Sequence, residues 1–267
     1  MVHDPAFDDH DNPYAAPTPE AQRQDEFAPW DYTQPIAGRV RFEVLSEAWD
    51  LLKAQPWNWI LIYLVFLLCT QGIGFVINQV FQIGLAGLAA QKPSRSVLIA
   101  AVVVGFLAIF LINIAITAFF RGGLFRAACK QIRGEPFGVK DLFGASRDWP
   151  ALLQASILIA LGTFAGALCF IIPGIIVATR WMLTLPLIAD GHLPATEAMR
   201  RSWHAIKGQT LLAFALNFVA GLLSVLGVLL CCVGVLFTGP LYTLAIALVY
   251  RDHFLTKFKP PAWVEPI

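Results

Sequence analysis

The sequence predicts an all-α, polytopic membrane protein: six transmembrane helices in three hairpins, each hairpin preceded by an amphipathic cytoplasmic helix. Three observations carry that expectation. Of the 267 residues, 57% are apolar and only 14% are charged, with a mean hydropathy of +0.65, whereas a soluble domain holds about 45–50% apolar and about 25% charged residues. Apolar runs recur at roughly the 20 residues that cross a bilayer core of about 30 Å. The net charge of +1 conceals a segregation of Lys and Arg into alternate connections. Such a composition argues against a large soluble enzyme, a nucleic-acid binder and a disordered hub.

Residues 1–36 read as a disordered, acidic, Pro-rich cytoplasmic tail. Asp4, Asp8, Asp9, Asp11, Glu20, Asp25, Glu26 and Asp31 face Arg23 alone, and Pro5, Pro13, Pro17, Pro19, Pro29 and Pro35 interrupt any helix. That leaves too little apolar surface to offset the ordering entropy. Asn12-Pro13-Tyr14 is the patch that offers a docking motif to a protein partner. No apolar segment of signal-peptide type precedes the first long run, so the first membrane helix is expected to act as its own insertion signal. Residues 37–255 form the transmembrane domain, and 256–267 a short basic-aromatic cytoplasmic tail.

Within the domain, helices are expected at about 57–78, 97–120, 151–172, 174–189, 210–230 and 234–250. The polar stretch around Asn78, Gln79, Gln82, Gly84 and Gly87 reads as a frayed or interfacial extension. Ile172-Pro173-Gly174 and Cys232-Val233-Gly234 are expected to be tight turns that close two antiparallel hairpins. Strand-like alternation is absent, which argues against a membrane barrel. The bases set the orientation. Arg23, Arg39, Arg41 and Lys53 precede the first helix, and Arg121, Arg126, Lys130, Arg133, Lys140 and Arg147 fill the 121–150 connection. Arg200, Arg201 and Lys207 lie in the 190–209 connection, and Arg251, Lys257 and Lys259 follow the last helix. The opposite side carries Lys92 and Arg95, so the positive-inside rule places both termini in the cytoplasm.

The three segments that lead into the odd-numbered helices look alike. Each sets an aromatic four residues before a base: Trp49/Lys53, Phe143/Arg147 and Trp203/Lys207. On a helix the ring and the cation share a face, with the ring at headgroup level and the cation on phosphate. The second and third hairpins also match at a fixed offset of 62 that pairs Cys169 with Cys231 and Asp190 with Asp252. Three copies of one unit are therefore expected: an interfacial helix followed by a transmembrane hairpin.

Chemistry inside the spans is sparse. Arg180 is the ionisable residue within an expected span, and such a residue is a functional candidate by default. It lies roughly 9 Å from Gly174 along the helix, with a stem that leans toward the outer face. It either snorkels or bonds a neighbouring helix, or it lines a water-filled path. Asn113, Thr184 and Asn217 complete a candidate intramembrane polar site. Such groups serve helix packing as readily as a pathway. The cysteines read as packed thiols, with a Cys169 bridge to Cys231 or Cys232 as the alternative. His192 and His204 stand twelve residues apart with Pro194 between them, so no zinc register forms. No Walker loop, nucleophile elbow or dinucleotide fingerprint occurs, and neither a cofactor nor a metal is expected. The bases, interleaved with acids on one side, point to anionic lipid rather than nucleic acid.

Ile172-Pro-Gly-Ile-Ile-Val-Ala-Thr-Arg180, Ala195-Thr-Glu-Ala-Met-Arg-Arg-Ser-Trp203-His-Ala-Ile-Lys-Gly208 and Val233-Gly-Val-Leu-Phe-Thr-Gly-Pro240-Leu-Tyr resemble a large bacterial family of six-helix membrane domains. That family includes the membrane region fused to some glycerophosphodiester phosphodiesterases, and the likeness spans roughly residues 40–255. The resemblance implies a multi-pass protein of the bacterial inner membrane. With no soluble phosphodiesterase domain in these residues, it implies no catalytic activity. The expected role is non-enzymatic, organising membrane or envelope through lipid contacts, with Trp49, Lys53, Phe143, Arg147, Trp203 and Lys207 as anchors. The alternative is a small transporter or channel using Arg180 and the polar residues near it. An embedded enzyme comes third, since every Asp, Glu and His lies outside the expected spans.

Overall fold

The computed structural model describes residues 38–229 and 233–255. The acidic tail, the C-terminal tail, and Cys231 and Cys232 as partners of Cys169 lie outside the described residues. Among the described residues the fold is all helix, with no strand. Five helical runs are long and apolar enough to cross a membrane, and a sixth arises when two helices bent by 106° count as one.

Helix α1 (Val44–Ala54) buries Val44, Ala48, Leu51 and Leu52 and turns its acids and Lys53 outward. Helix α2 (Pro56–Leu67) starts on a proline, whose missing N–H costs nothing in a first turn. It continues through one π-helical turn (Leu68–Gly72) into α3 (Ile73–Ala90). The expected fraying after residue 78 does not occur, and the run is 35 residues long. In lipid a frayed backbone has no water to bond, so the helix carries Asn78, Gln79 and Gln82 through intact.

Helix α4 (Arg95–Ile132) is 38 residues long, where a span ending at 120 was expected. The expected basic connection is therefore helical as far as Ile132. Phe120, Leu124, Ala127, Ala128 and Ile132 form a buried stripe at helical spacing, and tertiary packing carries the helix past the end of its lipid-facing run. It stops at Gly134, which takes φ 74°. There the amides of Gly134 and Glu135 bond back to Gln131 and Lys130, which satisfies carbonyls the helix leaves open.

The second interfacial segment is shorter than expected. It comprises one turn, α5 (Lys140–Phe143), and a 3-10 turn (Gly144–Ser146). Arg126 draws off the Gly144 carbonyl, and the Leu142 backbone presses onto Gly123. The chain thus bends where a longer helix would have stood away from α4. Phe143 and Arg147 consequently do not share a helical face.

Helix α6 (Trp149–Cys169) turns at the extended Phe170 into α7 (Ile171–Arg180). The turn falls two residues before the expected Ile172-Pro173-Gly174, which instead opens α7. There Gly166 and Gly174 let the two backbones meet, and a Cβ on Gly166 would lie 2.9 Å from the Gly174 Cα. The fourth span is broken at Trp181–Leu183 before α8 (Thr184–Gly191). Pro186 explains the break, because its ring excludes the carbonyl of Met182 from a continuous helix. Ser202 bridges the gap, donating to the Arg180 carbonyl at 2.7 Å and accepting from the Leu183 amide at 3.2 Å.

That serine lies on α9 (Ala195–Ala205), the third interfacial helix. Gly208, at φ 91°, makes the sharp turn into α10 (Thr210–Leu229). Helix α11 (Val233–Phe254) returns and is fully buried from Leu244 to Tyr250. Arg41 bonds Asp252 at 2.7 Å and Glu47 at 3.0 Å, while Arg251 reaches Glu47 at 2.7 Å. These pairs join the start of the domain to its end. The hydrogen bond to Asp252 raises the Arg41 pKa above its usual value, although partial burial pulls the other way. The apolar core lies in the half that holds the basic connections. The half of the first hairpin away from those connections instead exposes Phe75, Val80, Ile83, Val103 and Phe106, as a lipid-facing surface does.

Candidate functional site

The six expected interfacial anchors fall into different settings. Trp49, 45% exposed, and Lys53 stand on the outer face of α1, and Lys53 also meets Asp50 at 2.8 Å. Trp57, at the start of α2, is 80% exposed beside them in the chain. Phe143 and Arg147 are both exposed, although on separate turns, and Phe143 packs edge-on against Phe120 at 5.8 Å. Trp203 is half-buried and already engaged. The Arg180 guanidinium lies 4.6 Å above its ring, and Trp181 packs beside it at 5.9 Å. Lys207 is exposed beyond the end of α9.

The four polar residues expected to form one intramembrane site are dispersed. Arg180 does not lean toward the outer turn. Its Nε donates to Thr210 Oγ1 at 3.2 Å, so ring and hydroxyl tie α7 to α9 and α10. The reason is the break that follows it, which frees the side chain to reach across. Thr184 is fully buried, and its hydroxyl has no hydrogen-bond partner among the described residues. Asn113 bonds the Ile109 carbonyl of its own helix and faces Gly74 of α3. Asn217 accepts from the Tyr242 hydroxyl at 2.9 Å and points its amide at the Met182 sulfur, 3.8 Å away.

Asn217 lines a cavity of about 670 Å³ where all three hairpins converge. Most of the wall is apolar, from Phe66, Leu124, Phe125, Ile159, Phe214 and Phe218. Thr179, Ser224 and Thr243 also border it, but their hydroxyls donate to carbonyls of their own helices. Among the described residues, one charged side chain lines it: Arg121. The side chain is exposed and makes no ion pair or hydrogen bond among the described residues. Sequence reasoning placed Arg121 in a connection, because the apolar run stops at Phe120. The helical stripe from Phe120 to Ile132 was the signal that it stands inside a helix.

Beside it toward the basic connections lies a polar pocket of about 310 Å³ lined by Arg126, Lys130, Arg133, Asp141, Asp190 and His192. Its charges are matched. Lys130 meets Asp141 at 2.6 Å, and Arg133 grips Asp190 with both terminal nitrogens. Tyr250 adds its hydroxyl to Asp190 at 3.0 Å. Burial alone would lower the Arg133 pKa, but Asp190 outweighs it and holds the value above the ordinary one. His192 hydrogen-bonds Asp148 at 2.8 Å and faces Arg126 at 3.4 Å. Among the described residues no three His, Cys, Asp or Glu side chains gather as a metal site.

The Phe170 turn, the α9 lead-in and the α10–α11 hairpin are the parts that bear the resemblance. Residues 150–260 match the family model of the membrane domain of glycerophosphoryl diester phosphodiesterase. No curated protein and no solved structure matches the chain. The chain is a multi-pass membrane protein, and its likeness to this membrane domain covers α6 to α11. The first hairpin, with Arg121, lies outside the matched stretch.

Proposed function

We propose that this protein is a non-enzymatic membrane component that organises anionic lipid around its basic half, with both termini in the cytoplasm of a bacterial cell and the spans in its inner membrane. The observation that supports this reading is the company of exposed aromatics and bases there: Trp49, Trp57, Phe143 and Trp149 with Lys53, Arg147 and Lys207. Amphipathic rings settle at headgroup depth and nearby bases attract acidic lipid. Each such base contributes about 1 kcal/mol at an anionic surface. The triple variant Lys53→Glu, Arg147→Glu, Lys207→Glu is therefore expected to lose its preference for acidic over zwitterionic lipid by roughly a hundredfold. Lipid retained by the protein in mixed nanodiscs measures it. An unchanged ratio defeats the proposal.

A second reading, a small transporter or channel, is favoured by the broken fourth span and the cavity beside it, since discontinuous helices border many transport sites. Cysteine labelling separates the two. With the native cysteines replaced and Thr184→Cys installed, a closed bundle leaves position 184 untouched by a membrane-impermeant thiol reagent on intact cells. Labelling there, at the level seen for controls at Lys92 and Gly174, would favour transport.

A further inference from the structure

We propose that the cavity between the three hairpins is a discrete binding site for one singly charged anionic amphiphile, whose acidic group is met by Arg121. This goes beyond lipid gathered at the surface and involves none of the surface anchors.

The argument rests on what the walls offer and what they lack. Arg121 carries a permanent charge and five N–H donors. Among the described residues it meets no carboxylate and no acceptor. The neighbouring polar groups bond elsewhere: Tyr242 donates its hydroxyl hydrogen to Asn217 Oδ1, and Thr179, Ser224 and Thr243 donate theirs to backbone carbonyls. Tyr63 adds a hydroxyl that has no hydrogen bond among the described residues. The described wall thus carries one positive charge and no negative one. An unpaired arginine at the edge of an apolar wall has an oxyanion as its natural complement.

The rest of the wall sets the other half of the ligand. Phenyl and aliphatic side chains of α2, α6 and α10 gain nothing from a small hydrophilic anion and would stay in contact with water beside it. A neutral hydrocarbon would cover them but leave Arg121 bare. Only a molecule with an acidic end and a hydrocarbon end satisfies both. A single arginine, with no second base among the described residues of the wall, matches one negative charge. A volume of about 670 Å³ falls within the range of small-molecule sites, roughly 300–1,000 Å³. It admits an acidic group with part of a chain, and the remainder extends among the surrounding lipids.

Gly221 provides a way to close the site without disturbing its frame. It lines the cavity, and a Cβ there would meet nothing within 4 Å. Leucine at that position projects into open space.

Native mass spectrometry of the full chain, released from detergent, tests the proposal with four probes. They are a phosphatidylglycerol, a long-chain fatty acid, a phosphatidylcholine and glycerol phosphate. The expected result is a one-to-one adduct with the phosphatidylglycerol, the fatty acid or both, and which of them binds identifies the source of the acidic group. Arg121→Gln is expected to weaken that adduct at least tenfold, Arg121→Lys to retain most of it, and Gly221→Leu to abolish it. The triple surface variant should leave it unchanged, so failure of the surface reading and failure of this one are distinct results. Equal binding of phosphatidylcholine, equal binding of glycerol phosphate, or an adduct indifferent to Arg121→Gln overturns the proposal. Should Arg121→Gln fail to fold, Gly221→Leu decides alone, and an undiminished adduct there overturns it too.

Discussion

Asp190→Ala is expected to destabilise the protein by about 3–5 kcal/mol, the usual consequence of removing one partner from a buried ion pair. The Arg133 and Asp190 side chains are 12% and 6% exposed. Without the carboxylate the guanidinium stays largely buried with its charge unmet, and the enclosed Tyr250 loses the acceptor for its hydroxyl. The pair joins the end of α4, the end of α8 and the buried run of α11, so its loss is felt by three elements. For a domain of this size the unfolding midpoint in detergent should fall by roughly 6–20 °C. Asp190→Asn keeps the shape and one acceptor, and should fall between parent and alanine variant. Replacing both partners by apolar residues, Arg133→Met with Asp190→Leu, should recover most of the stability, since no uncompensated charge then remains. An Asp190→Ala protein as stable as the parent would show that the pair does not form.

Gly123→Ala is expected to cost about 1–3 kcal/mol or more, against the direction that local preference dictates. Alanine is favoured over glycine within a helix by about 1 kcal/mol. At Gly123 the added carbon would stand 2.5 Å from the Leu142 Cα and overlap its carbonyl. Backbone cannot rotate away as a side chain can, so either α4 bends or the 140–146 turns are pushed off it. Gly84→Ala is the matched control, because a Cβ there meets nothing within 4 Å and should be neutral or slightly stabilising. Chemical denaturation of both variants in the same detergent checks the opposite signs. A neutral Gly123→Ala would mean that the Leu142 segment does not lie against α4.

The all-helical, multi-pass character and the order of the spans were legible because lipid imposes one rule, a helix of sufficient apolar length, and five of the expected six runs obey it outright. Where helices end was less legible. Hydropathy locates the edge of the lipid, not the end of the helix, and α4 runs past that edge because its stripe from Phe120 to Ile132 docks on protein. The break in the fourth span was concealed because the run stays apolar enough to span despite Arg180, although Pro186, which acts on the turn before it, stood in plain view. At the site, Asn217 was legible as a polar residue at membrane depth. Arg121 was not, since a base next to an apolar run reads as a boundary. Trp203 was paired in sequence with Lys207, four residues on, while the cation above its ring is Arg180, 23 residues earlier. Contacts between elements of that kind leave no periodic trace.

The unequal burial of the spans bears on how the chain is made. None of the most apolar eighteen residues of α4 is buried by protein, and in the α2–α3 run 11% are, against 50% in the α7–α8 run and 61% in α11. A segment whose apolar side chains all face outward partitions into lipid on its own account. One that spends half of them on neighbours must find those neighbours first. During synthesis the opening hairpin, and α6 at 11%, are therefore expected to leave the translocon unaided, whereas the α7–α8 and α11 spans are expected to wait beside it until their partners have emerged. The first hairpin is the keel laid before the rest of the hull. Substitutions on it should be read out in topology and yield, and those on α8 or α11 in the assembly of spans already inserted.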